Sequence, residues 1–167
     1  MNIVELSKQT REEASKLLQG TQITKLLSTY GDVRVGGSYF SDLMYGPDVD
    51  ITVVSENPRQ AALSFLDEII QARSFQKYQY GDFEAFPRVN RPKAHIVVLI
   101  APYKNQQWEI EIWFSKELNQ ENIALEQQLK DLPQDIKAQI LTKKHERAQS
   151  GIDKNSLSSF DIYKQFI

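Results

Sequence analysis

The amino-acid sequence predicts an α/β (α+β) fold in which a mixed sheet is flanked by helices. Two observations support this class: apolar residues recur at three- and four-residue steps near both ends of the chain, and alternating or wholly apolar stretches lie between them. The elements follow the order helix, strands, helix, strands, helices. With 167 residues, no repeat and no long linker, the chain is expected to form one core with helical additions.

The first half of the chain begins with a predicted helical arm over residues 1–30. Two short strands follow, at residues 33–35 and 49–53, and a glycine turn separates them. Asn57 and Pro58 are then typical of a helix start, because Asn caps free amides and Pro fits the first helical position. The residues after them carry their apolar side chains on one face, as expected of a helix packed on a core.

The second half contains two strong strand candidates and then helices. Residues 94–101 form a nearly continuous apolar run, which is typical of a buried central strand, whereas residues 107–114 alternate. Helices are predicted over residues 120–132 and 134–149, and Ser159 would cap a short terminal helix. We divide the chain, in order, into a helical arm, a core and a C-terminal helical region packed on the core: 1–30, 31–116 and 117–167.

The composition excludes several kinds of site. The chain contains no cysteine and only two histidines, His95 and His145, which are not spaced as zinc ligands. A metal, if one is bound, must therefore be held by oxygen. The lack of cysteine also favours a reducing compartment, and we expect a cytoplasmic protein. No apolar run approaches the roughly 20 residues that a bilayer span needs, so no membrane is expected as a partner.

The charges are nearly balanced, with 20 basic and 22 acidic residues, a net charge of -2 and a pI near 5.7. Such a chain does not attract polyanions as a whole, so nucleic acid is not expected as the main partner. A local basic cluster is expected to form a solvated helix face. Its members are Lys143, Lys144, His145 and Arg147.

The most informative stretch joins the first two predicted strands. Asp48 and Asp50 are two residues apart on a strand, so both carboxylates leave the same face, where like charges repel. A divalent cation removes this repulsion, and Mg²⁺ commonly takes one or two carboxylates together with substrate phosphates. Upstream, Gly37 and Ser38 open a short helical turn that offers backbone amides and a hydroxyl to an anion. The stretch therefore predicts a phosphate-binding turn facing a metal-binding pair.

These residues resemble the motif of the nucleotidyltransferase superfamily, whose fold is shared by DNA polymerase beta and the small antibiotic nucleotidyltransferases. That motif is a hydrophobic residue, Gly, Gly or Ser, nine to thirteen further residues, and an acidic, hydrophobic, acidic triplet on a strand. Nine residues separate Ser38 from Asp48 here, and residues 48–50 are the triplet. The family takes a third carboxylate from a later strand. Glu111 is the expected donor in preference to Glu109, because it directly precedes a hydrophobic pair.

The resemblance implies a fold, a site and an activity. The fold is a nucleotidyltransferase-like mixed sheet with helices around it. Asp48 and Asp50 would hold Mg²⁺, Gly37 and Ser38 would bind the terminal phosphates, and Glu111 would complete a second metal site or accept a proton from the acceptor. The predicted reaction transfers a nucleoside monophosphate from a nucleoside triphosphate, such as ATP, to a hydroxyl and releases pyrophosphate.

The sequence gives fewer indications of the substrates than of the fold and the site. Lys93 and Arg91 stand near the start of the central apolar strand, and we expect them to contact the triphosphate. The acidic balance and the short chain favour a small molecule as the acceptor, and a homodimer that completes its pocket is one hypothesis. Glu111 stands where many members of the family carry aspartate. A second hypothesis therefore stays open, a nucleotide-binding or partner-binding module without turnover, for example of toxin–antitoxin type.

Overall fold

The computed structural model describes residues 2–89, 91–154 and 156–167. Over these residues the chain forms a five-stranded mixed sheet with seven helices around it. The elements in chain order are α1 (Ile3–Thr21), α2 (Ile23–Leu27), β1 (Asp32–Val35), α3 (Gly37–Phe40), β2 (Asp48–Val54), α4 (Pro58–Ala72), β3 (Lys77–Asp82), β4 (His95–Tyr103), β5 (Gln106–Ser115), α5 (Gln120–Lys130), α6 (Gln134–Gln149) and α7 (Ser159–Tyr163). None of the helices in this described part of the chain is both long enough and apolar enough to cross a membrane.

The strands lie in the order β1-β2-β5-β4-β3. β1 pairs with β2, β3 with β4 and β4 with β5 in antiparallel fashion, whereas β2 and β5 run parallel. A parallel pair needs a crossover, and here the chain passes through α4, β3 and β4 between the two strands. The crossover brings two segments that are distant in sequence side by side near the centre of the sheet.

The two faces of β2 and β5 differ in chemistry. Their buried apolar residues share the face that α4 covers, where the ring centroids of Phe65 and Phe114 lie 5.8 Å apart. These strand residues are Val49, Ile51, Val53, Trp108, Ile110, Ile112 and Phe114. Ala14 and Leu17 of α1 lie in the same core, so the first helix is part of the main packing. The alternate residues of both strands, among them four acids, lie on the opposite face.

The C-terminal helices form a second, smaller core with the loop that precedes β2. Its buried members are Leu43, Leu129, Ile140, Leu141, Ile162 and Tyr163. Leu43 is the residue that the loop contributes to this core, and it is fully buried. This packing places α5 beside α3, and α6 beside the loop that precedes β2.

Two helix ends differ from the sequence-based expectations. Ser158, and not Ser159, caps the terminal helix, because its hydroxyl accepts a hydrogen bond from the amide of Asp161 while the Asp161 carboxylate accepts one from the Ser158 amide. α4 begins at Pro58 as predicted, yet the Asn57 side chain makes no capping hydrogen bond. Both helices lie where the sequence predicts them, and only the capping hydrogen bonds at their N-termini differ from the prediction.

The expected solvated basic face on α6 is wrong for two of its four residues. Lys144 is 3% exposed, and its Nζ donates a hydrogen bond to the carbonyl oxygen of Leu43 at 2.8 Å. Arg147 is 6% exposed and donates to the carbonyl oxygen of Leu157 at 2.9 Å. The two cations bind backbone carbonyls of neighbouring loops, and a charge count along the sequence does not reveal such partners.

Candidate active site

The parallel pairing of β2 and β5 brings the acids of the two strands side by side. Asp48 lies opposite Glu109, and Asp50 lies opposite Glu111. Paired strands are separated by roughly 4.8 Å, so the carboxylates of each pair occupy adjacent positions on one face. The sheet therefore places Glu111 next to the two aspartates that the motif singled out.

The charges of this cluster act on one another. Burial, followed by the negative charges of Asp48 and Glu126, raises the pKa of Asp50 to about 6. Burial, followed by the charge of Asp50, raises the pKa of Glu111 to about 7, and the positive charge of Arg91 opposes both shifts. Excess negative charge of this kind disfavours ionised carboxyls in the absence of a bound cation. A divalent cation would restore the balance.

The donor atoms present fit Mg²⁺. Asp48 and Asp50 offer carboxylate oxygens from one strand face, and Mg²⁺ typically takes its remaining ligands from substrate phosphates and water. In residues 2–89, 91–154 and 156–167, no three His, Cys, Asp or Glu side chains converge as a group that could hold a metal ion. A role of Glu111 as a third metal ligand thus stays a prediction. Lys154 supplies some opposing charge, since its Nζ lies 3.7 Å from Oδ2 of Asp48.

The glycine turn lies directly against Asp50. Gly37 begins α3 with a φ of +61°, and a Cβ at this position would overlap the Asp50 carboxylate. The amide of Gly36 donates to the carbonyl oxygen of Asp50 at 2.9 Å, which fixes the turn against β2. Ser38 follows within α3 and is partly buried. Glycine is thus required here by close approach as well as by backbone conformation.

One functional candidate was not predicted from the sequence. The Oε1 atom of Glu126, on α5, accepts a hydrogen bond from the Gly37 amide at 2.6 Å. Its Oε2 atom lies 2.5 Å from Nη2 of Arg34. Glu126 is 89 residues from Gly37 in sequence, and no spacing pattern links them. Only the packing of α5 on α3 reveals the contact.

The two expected basic residues of the loop between β3 and β4 differ in their placement. The Arg91 guanidinium carbon lies 5.5 Å from the ring centroid of Trp113, which is on the acidic face of β5. The positive charge of Arg91 acts to lower the pKa values of both Asp50 and Glu111. Lys93 is exposed, and within the described residues it makes no ion pair with the site acids. The charge of Arg91 therefore acts on the cluster, and a contact of Lys93 with the triphosphate stays a prediction.

Solved structures share the fold of this chain, although no protein-family model and no curated protein matches it. The Cid1 poly(U) polymerase bound to MgGTP matches with a TM-score of 0.69 and 22% identity, over 93% of this chain and 48% of that chain. The polymerase core of TRAMP, an RNA surveillance complex, matches with a TM-score of 0.58 and 18% identity, over 95% and 46%. The non-canonical poly(A) polymerase complex GLD-2–GLD-3 matches with a TM-score of 0.63 and 12% identity, over 95% and 56%. The chain spans about half the length of these structures.

The neighbours contradict one expectation drawn from the sequence. A small-molecule acceptor, with nucleic acid an unlikely partner, is wrong, because the matched proteins are poly(U) and poly(A) polymerases and Cid1 has been solved with its short product ApU. The expectation rested on the pI of the whole chain, which averages over local charges such as Arg88 and Arg91. The chain has the nucleotidyltransferase fold, of the DNA polymerase beta type, that its Gly-Ser turn and acidic triplet predict.

Proposed function

We propose that this chain carries the catalytic centre of a nucleotidyltransferase that acts on RNA. The enzyme adds a nucleoside monophosphate from a Mg²⁺-bound nucleoside triphosphate to a terminal hydroxyl of RNA. The observation that carries the proposal is the β2–β5 register, which sets Glu111 beside Asp50 on the face that the Gly37 turn adjoins. Nucleotidyl transfer needs a place for phosphates next to carboxylates that bind metal and accept a proton. We assign these three functions to the Gly37 turn, to Asp48 with Asp50, and to Glu111.

The residues take the following roles in this proposal. Asp48 and Asp50 hold Mg²⁺, which supplies charge neutralisation and orientation for the phosphates. Gly37 and Ser38 contact the terminal phosphates. The acceptor hydroxyl oxygen bonds to the α-phosphorus, the bond from that phosphorus to the pyrophosphate oxygen breaks, and the hydroxyl proton passes to the Glu111 carboxylate. A carboxylate placed beside Asp50 suits the role of proton acceptor in this step.

An RNA acceptor is supported by the neighbours and by the loop between β3 and β4. The Arg88 guanidinium carbon lies 4.7 Å from the ring centroid of Phe83, whose ring lies 5.7 Å from that of Trp113 beside the site. Phe86 of the same loop is 77% exposed. Cations interleaved with aromatic rings are typical of surfaces that bind single-stranded nucleic acid. Lys93 belongs to this loop, and we assign it to phosphate contacts on that basis.

A strand-extension experiment tests the proposal. A 5′-labelled oligoribonucleotide is incubated with the protein, Mg²⁺ and each of the four nucleoside triphosphates, and the products are separated by length. We expect the wild type to extend the strand with release of pyrophosphate. Asp48→Asn should abolish extension, whereas Asp67→Asn, at an exposed acid on α4, should leave it unchanged. Nucleotide binding without extension or pyrophosphate release would contradict catalysis and favour the binding-module hypothesis.

A further inference from the structure

The contact between Glu126 and the glycine turn places a carboxylate where the proposed function requires a phosphate. The Gly37 amide donates to Oε1 of Glu126 at 2.6 Å, and the Arg34 guanidinium pairs with Oε2 at 2.5 Å. A backbone amide and a guanidinium together form the kind of donor set that binds a phosphate oxygen. Both donors are partly sheltered from solvent, and the side chains of Arg34 and Glu126 are 23% and 16% exposed.

From this arrangement we propose that Arg34 is a further phosphate-binding residue, and that Glu126 occupies the phosphate position until a nucleoside triphosphate displaces it. The inference rests on the proposed function, because it takes the Gly37 turn to be the phosphate site. Binding then transfers two donors, the Gly37 amide and the Arg34 guanidinium, from the Glu126 carboxylate to the substrate. Glu126 thereby acts as an internal competitor that sets the affinity for triphosphate.

The Glu126 carboxylate is poorly satisfied where it lies. Oε2 is buried and has no hydrogen-bond partner in the described part of the chain. Its contact with Nη2 of Arg34 is therefore an ion pair without hydrogen-bond geometry. Burying a carboxylate oxygen without a hydrogen bond raises the free energy of the folded protein. An anion with better geometry can therefore replace it at this position.

The charges around the contact favour an incoming phosphate once Glu126 leaves. Arg34 and Lys130 lie against the ring of Phe40, with the Arg34 guanidinium carbon 4.9 Å and the Lys130 Nζ 4.4 Å from its centroid. Glu126 also adds to the negative charge that Asp50 senses. Its departure would release the Arg34 guanidinium and remove a negative charge next to the metal-binding pair.

The helix that carries Glu126, α5, is weakly packed and can be displaced. Of its residues only Leu129 is fully buried, and the remaining ones are partly or wholly exposed. Little apolar burial therefore holds α5 against α3, and a small displacement of this helix costs less than the displacement of a core helix. The contact can open without unfolding the sheet.

Binding of inorganic tripolyphosphate and of MgATP to four variants, measured by calorimetry, tests the inference. We expect Glu126→Gln, which keeps the size of the side chain and removes its charge, to bind tripolyphosphate at least about tenfold more tightly than the wild type. Arg34→Gln should bind it at least about tenfold more weakly, and adding Arg34→Gln to Glu126→Gln should cancel the gain. Glu121→Gln, at an exposed acid on the same helix, is the matched control and should not differ from the wild type.

A measurement on the wild type covers the case in which a variant does not fold. Hydrogen exchange of residues 120–130 should become faster on addition of tripolyphosphate, because the anchor of α5 is released. Equal tripolyphosphate affinity of folded Glu126→Gln and wild type, no binding by either, or unchanged exchange in bound wild type would each overturn the inference. Tighter binding by Glu126→Gln without RNA extension by any variant would leave the inference standing and contradict the proposed function. RNA extension without that tightening would contradict the inference alone.

Discussion

Asp50 of β2 and Glu111 of β5 are direct register partners across the parallel strand pair, although α4, β3 and β4 separate them along the chain. Their side chains leave the face opposite the main core, and the charge of Asp50 helps to raise the pKa of Glu111. The pair thus joins the aspartates that we propose as metal ligands to the proposed proton acceptor.

The first prediction concerns the third acid. Replacing Glu111 by Gln removes the proposed proton acceptor and should lower the rate of pyrophosphate release by about 10²- to 10⁴-fold, the usual contribution of a general base. Nucleotide affinity should change far less. Glu109→Gln, at the neighbouring acid of the same strand face, is the matched control and should retain most of the rate. Equal rates for the two variants would contradict the assignment of Glu111.

The second prediction concerns the close approach of the turn. Gly37→Ala should destabilise the protein by more than the roughly 1 to 2 kcal/mol of left-handed strain, because the new methyl group overlaps the Asp50 carboxylate. Gly151 is the control, since it has a similar φ of +69° and open space around it. Urea unfolding of the two alanine variants gives the difference. A cost at Gly37 no larger than that at Gly151 would show that the turn does not press against Asp50.

The third prediction is a dependence of stability on pH in the absence of divalent metal. The pKa of Asp50 is raised from 3.8 to about 6 and that of Glu111 from 4.5 to about 7. From about pH 4 to pH 7 the folded chain therefore holds protons that the unfolded chain has released, and the free energy of unfolding falls as the pH rises. Asp50→Asn removes part of this penalty.

We expect metal-free Asp50→Asn to melt above the wild type at pH 8, by roughly 2 to 4 °C for each kcal/mol gained. The two should melt together at pH 4, where the Asp50 carboxyl of the folded wild type is protonated. Mg²⁺ should raise the melting temperature of the wild type more than that of the variant. A variant that melts below the wild type at pH 8 without metal would show that the ionised carboxylate stabilises the fold.

The fourth prediction compares two adjacent lysines. Lys144→Met removes a charged hydrogen bond to the carbonyl oxygen of Leu43 and leaves that oxygen without its partner, so it should cost about 1.5 to 3 kcal/mol of stability. Lys143→Met, at an exposed position, should stay within about 0.5 kcal/mol of the wild type. Chemical denaturation measures both. Equal costs would mean that the buried ammonium contributes nothing through Leu43.

The sequence was sufficient to predict the class of fold and the acids of the cluster because both depend on local patterns. Alternation in β2 and β5 shows which side chains share a face, and the triplet at residues 48–50 needs only its own spacing. The choice of Glu111 as the third acid followed from the family resemblance. The register that makes them neighbours is a property of the folded sheet.

Contacts between distant helices and loops could not be predicted in this way. Glu126 stands on α5 with no motif around it, and its position on the Gly37 amide depends on how two helices pack. Lys144 lies in a run of basic residues that is typical of a solvated surface, yet the adjacent loop covers it. The acceptor was also missed, because overall charge does not report where Arg88 and Arg91 lie relative to the site.

The most direct test of the account is a crystal structure with Mn²⁺ in place of Mg²⁺ and a nonhydrolysable nucleoside triphosphate. Mn²⁺ shares the oxygen preference of Mg²⁺ and is located by its anomalous scattering. We expect an anomalous peak between the carboxylates of Asp48 and Asp50, with the terminal phosphates at the Gly37 turn and the α-phosphate on the side of Glu111. A nucleotide bound elsewhere, or bound here with no metal between the two aspartates, would contradict the account.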